Sequence, residues 1–150
     1  MPRASFRTGV MIQARPEKVF GYVSDLSRHG EWASDPVEIV TVESSPAVVG
    51  NRYRSTAQSH GVTFQSELVV TEYKPPVRFA FVGQDSTGRV EHLFTFRDDG
   101  GNTRVERQMQ FNISFVQWLA YLALAYPVRI PSARRTMARL KAKLEESSDM

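Results

Sequence analysis

No cysteine occurs among the 150 residues. That absence excludes a disulfide framework, a thiol nucleophile and thiolate metal ligation. Histidine is nearly as scarce: His29, His60 and His92 are the three present, and their spacing fits no metal site, so no metal is expected. The chain also lacks a glycine-rich phosphate loop and a dinucleotide fingerprint, and no serine stands in a nucleophile-elbow pattern. No cofactor is therefore expected, and any reaction here would rest on acid–base and electrostatic help inside a dry pocket. The first residues, Met1 to Arg7, contain no apolar run of signal-peptide length, which makes a cytoplasmic location the expectation.

Charge is missing from one long stretch. No Asp, Glu, Lys or Arg lies from Gln108 to Val128. The second part of that stretch sets Phe115, Trp118, Leu119, Leu122 and Tyr126 on one helical stripe. A membrane span needs about 20 apolar residues in one helix. The apolar run before Pro127 is shorter and holds Gln117, so no spanning helix is expected. The net charge of +3 is unevenly placed. Arg129, Arg134, Arg135, Arg139, Lys141 and Lys143 follow one another with no acid between them, and the rest of the chain is net acidic. The basic character thus belongs to one helix rather than to a broad surface, and no nucleic-acid partner is expected. A solvated helix face is the plain reading; weak contact with an anionic membrane or an acidic partner is the alternative.

What is present reads as one domain over residues 1–150, with 41% hydrophobic and 23% charged residues. Phe6 to Ala14 alternates as a half-buried strand does. Pro16 suits a first helical turn, and Val19, Phe20 and Val23 share one helical face. Asp25 can cap a second short helix over Leu26–Glu31, with Gly30 near its end and Trp32 at the junction with the sheet. Six strands follow: Val37–Glu43, Asn51–His60, Val62–Tyr73, Val77–Val82, Arg89–Arg97 and Thr103 to about Ile113. Lys74-Pro75-Pro76 interrupts the ladder, Gly83–Gly88 reads as a loop, and Asp98-Asp-Gly-Gly-Asn102 reads as a tight hairpin. The short connections predict an antiparallel meander. Pro127 and Pro131 predict a kink or break. Beyond them a helix over Ser132–Glu146 carries the stripe on through Ala133, Met137, Leu140 and Leu144. The fold class is α+β, with a sheet able to curl around the last helix and enclose an apolar cavity.

The run Ile12-x-Ala14-x-Pro16-x-x-Val19-Phe20-x-x-Val23-x-Asp25 is followed by Trp32 and by Gly50-Asn-Arg-Tyr-Arg54. Then come Val70-Thr-Glu-Tyr-Lys-Pro-Pro-Val-Arg-Phe79 and Gly100-Gly-Asn-Thr-Arg-Val105. Together these resemble the polyketide cyclase/dehydrase and lipid-transport family of the START-like (SRPBCC, birch-pollen-allergen-like) superfamily, over about Phe6 to Glu146. The resemblance implies a helix-grip fold: a seven-stranded antiparallel sheet around a long C-terminal helix, with two short helices after the first strand. It also implies binding of lipids, sterols, polyketides, quinones or hormones, and in some members aromatic ring closure. The uncharged stretch before Pro127 departs from the family pattern, in which a single helix follows the last strand.

Strand alternation then sorts the side chains. Tyr53, Ser55 and Ala57 are expected on the concave face, as are Phe64, Ser66, Leu68 and Val70. Phe79, Phe81, Val90, His92, Phe94 and Phe96 follow, then Val105, Arg107, Met109 and Phe111. The candidate ligand-binding set is Trp32, Tyr53, Phe64, Leu68, Phe79, Phe81, His92, Phe94, Arg107, Met109, Trp118 and Leu122. For any single ring, plain core is the simpler assignment; the aromatic content of the whole face is what suggests a pocket. Tyr53, His92 and Arg107 are the catalytic candidates, since together they could orient and polarise a carbonyl. The plainer alternatives are a salt bridge from Arg107 to Glu91 or Glu106 and a satisfied, half-buried His92. His60 reads as a loop residue and His29 as a helix-end surface residue.

Three functions stay open. The first is a binding or carrier module for a small hydrophobic molecule. The second is a polyketide aromatase/cyclase or dehydratase. The third is a membrane-surface regulator, in which Phe115–Tyr126 dips into lipid and the basic cluster meets head groups. An exposed Trp118–Tyr126 stripe would also favour a homodimer.

Overall fold

The computed structural model describes residues 3–34, 36–46, 48–59, 61–85, 88–112 and 130–148. Strand β1 (Arg3–Ile12) leads into helix α1 (Pro16–Val23) and a 3-10 helix (Leu26–Glu31). Strands β2 (Val37–Glu43), β3 (Arg52–Ser59), β4 (Val62–Lys74), β5 (Arg78–Asp85), β6 (Gly88–Asp99) and β7 (Asn102–Asn112) follow, and α2 (Ile130–Ser148) closes the described chain. All neighbouring strands run antiparallel in one sheet ordered β1-β7-β6-β5-β4-β3-β2.

Local chemistry sets most boundaries. Pro16 opens α1, where a missing N–H costs nothing. Asp25 caps the 3-10 helix by accepting from the Ser27 N–H at 3.2 Å. Gly100 and Gly101 both have positive φ, +64° and +92°, as a two-residue hairpin between Asp99 and Asn102 demands. Four expectations shift. The first strand ends at Ile12 rather than Ala14, because the Ala14 N–H turns back to the Ile12 carbonyl at 2.9 Å. The expected loop at Gly83–Gly88 is largely strand, since β5 pairs with β6 out to Asp85 against Gly88. The last helix, α2, begins at Ile130 rather than Ser132, so Pro131 falls in its first turn, where a missing N–H costs nothing. A bulge between Val70 and Glu72 shifts the β4 register, so that Val70 faces Phe81 while Tyr73 faces Phe79. The apolar stripe Phe115–Tyr126 and Pro127 lie outside the described residues.

Helix α2 packs on β1 and lays Met137, Leu140 and Leu144 into the core formed by the inner face of the sheet. It is held at two levels. Near its start, the Thr136 hydroxyl accepts from the Ser34 N–H at 3.1 Å and lies 3.0 Å from the Ser34 hydroxyl. Further along, the Lys141 ammonium donates to the Met11 carbonyl at 2.8 Å and to Glu145 at 2.6 Å, and Glu145 also accepts from the Gln13 N–H.

The 3-10 helix sits so close to β2 that a Cβ on Gly30 would lie 2.4 Å from the Val37 carbonyl oxygen. Gly30→Ala must therefore push backbone from backbone and should cost about 1–3 kcal/mol. Gly21, inside α1, has open space where its Cβ would stand. Gly21→Ala should instead stabilise by about 0.4–1 kcal/mol. Urea denaturation of the two variants measures both; effects of the same sign would contradict this packing.

Candidate functional site

The register lays the inward side chains out in rows across the sheet. One row runs Thr8, Arg107, Phe94, Phe79, Tyr73. Except for the half-buried Tyr73, it is buried throughout. The next runs Phe6, Met109, His92, Phe81, Val70, and here Phe6, Met109 and His92 are only half-buried. A third carries Phe111, Val90, Gly83, Leu68 and Tyr53, with Val90 half-buried. The α1 end of this face is solid. The Phe20 ring packs at 5.2–6.4 Å from Tyr73, Phe79 and Phe96, so Phe79 and Phe96 are core there. Phe6, Val90 and Met109 form a more open apolar patch one or two rows further along.

Arg107 stands at the border between the solid and open parts. Its side chain is inward on β7 and the residue is only 8% exposed. The guanidinium carbon lies 5.2 Å from the centre of the Phe94 ring, a cation–π contact. Its Nη2 donates to His92 Nδ1 at 3.1 Å. A guanidinium can only donate, so Nδ1 carries the lone pair and the His92 proton sits on Nε2. His92 in turn stacks on Phe81, with centroids 4.4 Å apart and planes 10° apart. Burial, then the Arg107 charge, then His29, hold the His92 pKa well below its ordinary value, so the ring is neutral at pH 7. Burial brings Arg107 down to about 10, which leaves it charged.

The expected salt bridge from Arg107 does not form. Glu91 pairs with Arg89 at 3.6 Å and Glu106 with Arg104 at 3.8 Å. Strand alternation explains this, since residues adjacent to His92 and Arg107 point to the opposite face. His29 also departs from expectation. It is half-buried rather than on the surface, with its ring 4.3 Å from that of Trp32. Burial and then the Arg107 charge push its pKa down to about 3. Sequence spacing carried no sign of this approach, which depends on how the 3-10 helix docks on the sheet. Trp32 itself is fully buried and meets Phe94 edge-on at 6.2 Å.

Of the residues singled out from sequence, Trp32, Phe81, His92, Phe94 and Arg107 are thus tied by direct contacts, and Met109 is the cross-strand partner of His92. Phe79 joins them through Phe81 and Phe94. Leu68 is buried two strands from β6. Tyr53 is buried on β3, four strands from Arg107, and its hydroxyl accepts from Asn51 at 3.5 Å, so it stands apart from the Arg107–His92 pair. Phe64 shares the inward parity but lies near the end of its strand and is 43% exposed. Trp118 and Leu122 lie outside the described residues, as does His60. Two cavities are found among the described residues. One of about 350 Å³ separates β1 from α2, between Thr8, Val10, Arg134, Met137 and Lys141, and so reaches the cross-strand partner of Arg107. The other, about 220 Å³, is on the outer face by Arg78, Leu93 and Glu106. Among the described residues no helix is long and apolar enough to cross a membrane.

Comparison with known structures places this architecture among helix-grip folds. TTHA0849 from Thermus thermophilus matches with a TM-score of 0.77 at 18% identity, over 97% of this chain and 99% of that one. The di-domain ARO/CYC BexL from the BE-7585A biosynthetic pathway matches with a TM-score of 0.75 at 16% identity, over 95% of this chain and 50% of that one. Ara h 8.0201 matches with a TM-score of 0.66 at 11% identity, over 95% and 98%. At these identities the likeness shows the fold alone. No curated protein matches the sequence. The family described as polyketide cyclase / dehydrase and lipid transport matches residues 3–145. With that match spanning nearly all of its length, the chain belongs to the polyketide cyclase/dehydrase and lipid-transport family.

Proposed function

We propose that the domain binds a small hydrophobic molecule on its concave face, between the sheet and α2. The carrying observation is the half-buried apolar patch of Phe6, Val90 and Met109, which ends on the polar pair His92 and Arg107. An apolar surface with a few convergent polar groups is the usual form of a small-molecule site. Rings along this face supply area for a flat or greasy guest, each able to bury on the order of 150–250 Å². The neutral probe phenylnaphthylamine should bind with a rise in fluorescence. Met109→Glu, which sets a charge in the patch, should weaken that binding by about tenfold or more. A probe that ignores Met109→Glu, or fails to bind at all, would sink this reading.

A second reading, ring closure or dehydration of a polyketide-type substrate, is favoured by one observation. The Arg107 cation occupies the His92 Nδ1 lone pair and leaves Nε2–H as a neutral donor, so guanidinium and imidazole together can polarise a substrate carbonyl. BexL is an ARO/CYC protein of a biosynthetic pathway, which supports the same reading. It requires that His92→Ala and Arg107→Ala abolish turnover while the protein stays folded.

A further inference from the structure

Among the described residues, three buried side-chain polar atoms have no hydrogen-bond partner: Arg107 Nε, Trp32 Nε1 and Thr8 Oγ1. They are not scattered. Thr8 is the cross-strand partner of Arg107 on β1. Trp32 and Arg107 both lie against the ring of Phe94, one at its edge and one over its face. Trp32 is 0%, Arg107 8% and Thr8 9% exposed, so ordinary solvation does not satisfy these atoms. Buried polar groups are usually satisfied, and the three left open among the described residues belong to Arg107, its cross-strand partner and a residue that shares the Phe94 ring with it.

Among the described residues the guanidinium also lacks an anion. Its polar partner there is a neutral imidazole. The acids flanking this site in sequence, Glu91 and Glu106, are engaged by arginines on the outer face. The segment after β7 supplies none, because no acid occurs from Gln108 to Val128. A buried cation without a counter-charge is costly, and a ligand can provide the missing charge. From this geometry we infer that the molecule bound on the concave face carries an oxyanion, and that Arg107 holds it. The oxyanion would be a carboxylate or a sulfonate. Arg107 Nε supplies a charge-assisted donor, with the Trp32 indole N–H and Thr8 hydroxyl as neighbouring donors. The apolar remainder of the ligand lies on Phe6, Val90 and Met109. This inference rests on the proposed binding function and adds the chemical class of the ligand.

Two dyes of nearly one shape separate the inference from that function. Anilinonaphthalene sulfonate carries the anion; phenylnaphthylamine is its neutral counterpart. The unmodified protein should bind the sulfonate at least about tenfold more tightly, the effect of one charge-assisted hydrogen bond. Arg107→Gln removes the charge. It should erase the preference for the sulfonate over phenylnaphthylamine, while Arg107→Lys restores part of it. If Arg107→Gln binds neither dye, Arg107→Lys against the unmodified protein carries the comparison, and an undiminished preference in Arg107→Lys overturns the inference. Equal binding of both dyes by the unmodified protein overturns the oxyanion and leaves the hydrophobic site standing. A sulfonate preference that survives Arg107→Gln places the anion elsewhere, for instance by Arg7, Arg134 and Lys141 beside α2, and also overturns it. Failure of both dyes to bind the unmodified protein removes the site and the inference together.

Discussion

Phe94→Ala should destabilise the protein by about 3–5 kcal/mol and lower its melting temperature by roughly 10 °C. Phe94 is 1% exposed and central to the inner face of the sheet. Its ring meets Trp32 at 6.2 Å, Phe79 and Phe81 at 6.4 Å and Phe96 at 6.5 Å, and it carries the Arg107 guanidinium on its face. These neighbours sit on β5, β6 and β7 and at the end of the 3-10 helix, and the sheet ladder fixes the strands, so they have little freedom to collapse into the space left behind. Phe64→Ala supplies the control. That ring has the same inward parity but is 43% exposed, and its loss should cost less than about 1 kcal/mol. Thermal and urea unfolding of the two variants tests the contrast. Equal losses would mean that burial does not fall off along this face as described.

Acidification from pH 7 to pH 4.5 should remove several kcal/mol of stability, before any paired carboxylate is affected. His29 titrates at about 3 in the folded protein against 6.5 as its ordinary value, because burial and the Arg107 charge oppose its protonation. His92 is shifted in the same direction. Between those values the unfolded chain binds protons that the folded protein refuses. Stability is therefore complete above pH 6.5 and declines as pH falls, by about 1.4 kcal/mol per unit for His29 well inside the window, with His92 adding in the same direction. Glu31, Glu72 and Glu145 are each held below 4.5 by a basic partner, so their contributions fade only at lower pH. Replacing both histidines with glutamine should flatten the profile between pH 6.5 and 4.5. A wild-type melting temperature that does not change across this interval would show that neither ring is held neutral by its surroundings.

The parts of the fold legible in the sequence are those governed by neighbouring residues. Pro16, Asp25 and the Gly100-Gly101 pair each meet a backbone requirement that exists wherever they occur, and each boundary lies beside them. The inward face is legible because alternation survives along an unbroken ladder. It fails as a guide past the irregularities in β2 and β4, where no residue type announces the extra position. The candidate site is legible in part. His92 and Arg107 share parity on strands joined by a short hairpin, so their approach follows from counting. The same counting argues against Glu91 and Glu106 as partners, since both fall on the other side of the pleat. His29 is not legible: its position depends on the close seating of the 3-10 helix against β2, a contact that Gly30 permits but does not advertise. Tyr53 departs from expectation for the complementary reason. Inward parity says nothing about how many strands separate two residues.

The strand order also bears on how the chain assembles. Each neighbour relation from β2 to β7 joins segments adjacent in sequence, so those hairpins can form early and cheaply. β1 is the exception: synthesised first, it finds its place only beside β7, with Ile12 against Thr103. Closing so large a loop carries an entropic penalty that the hairpins avoid. Since α2 rests on β1, loop-closure entropy predicts that the two seat late together. The strand that brings Thr8 beside Arg107 is thus predicted to be among the last seated.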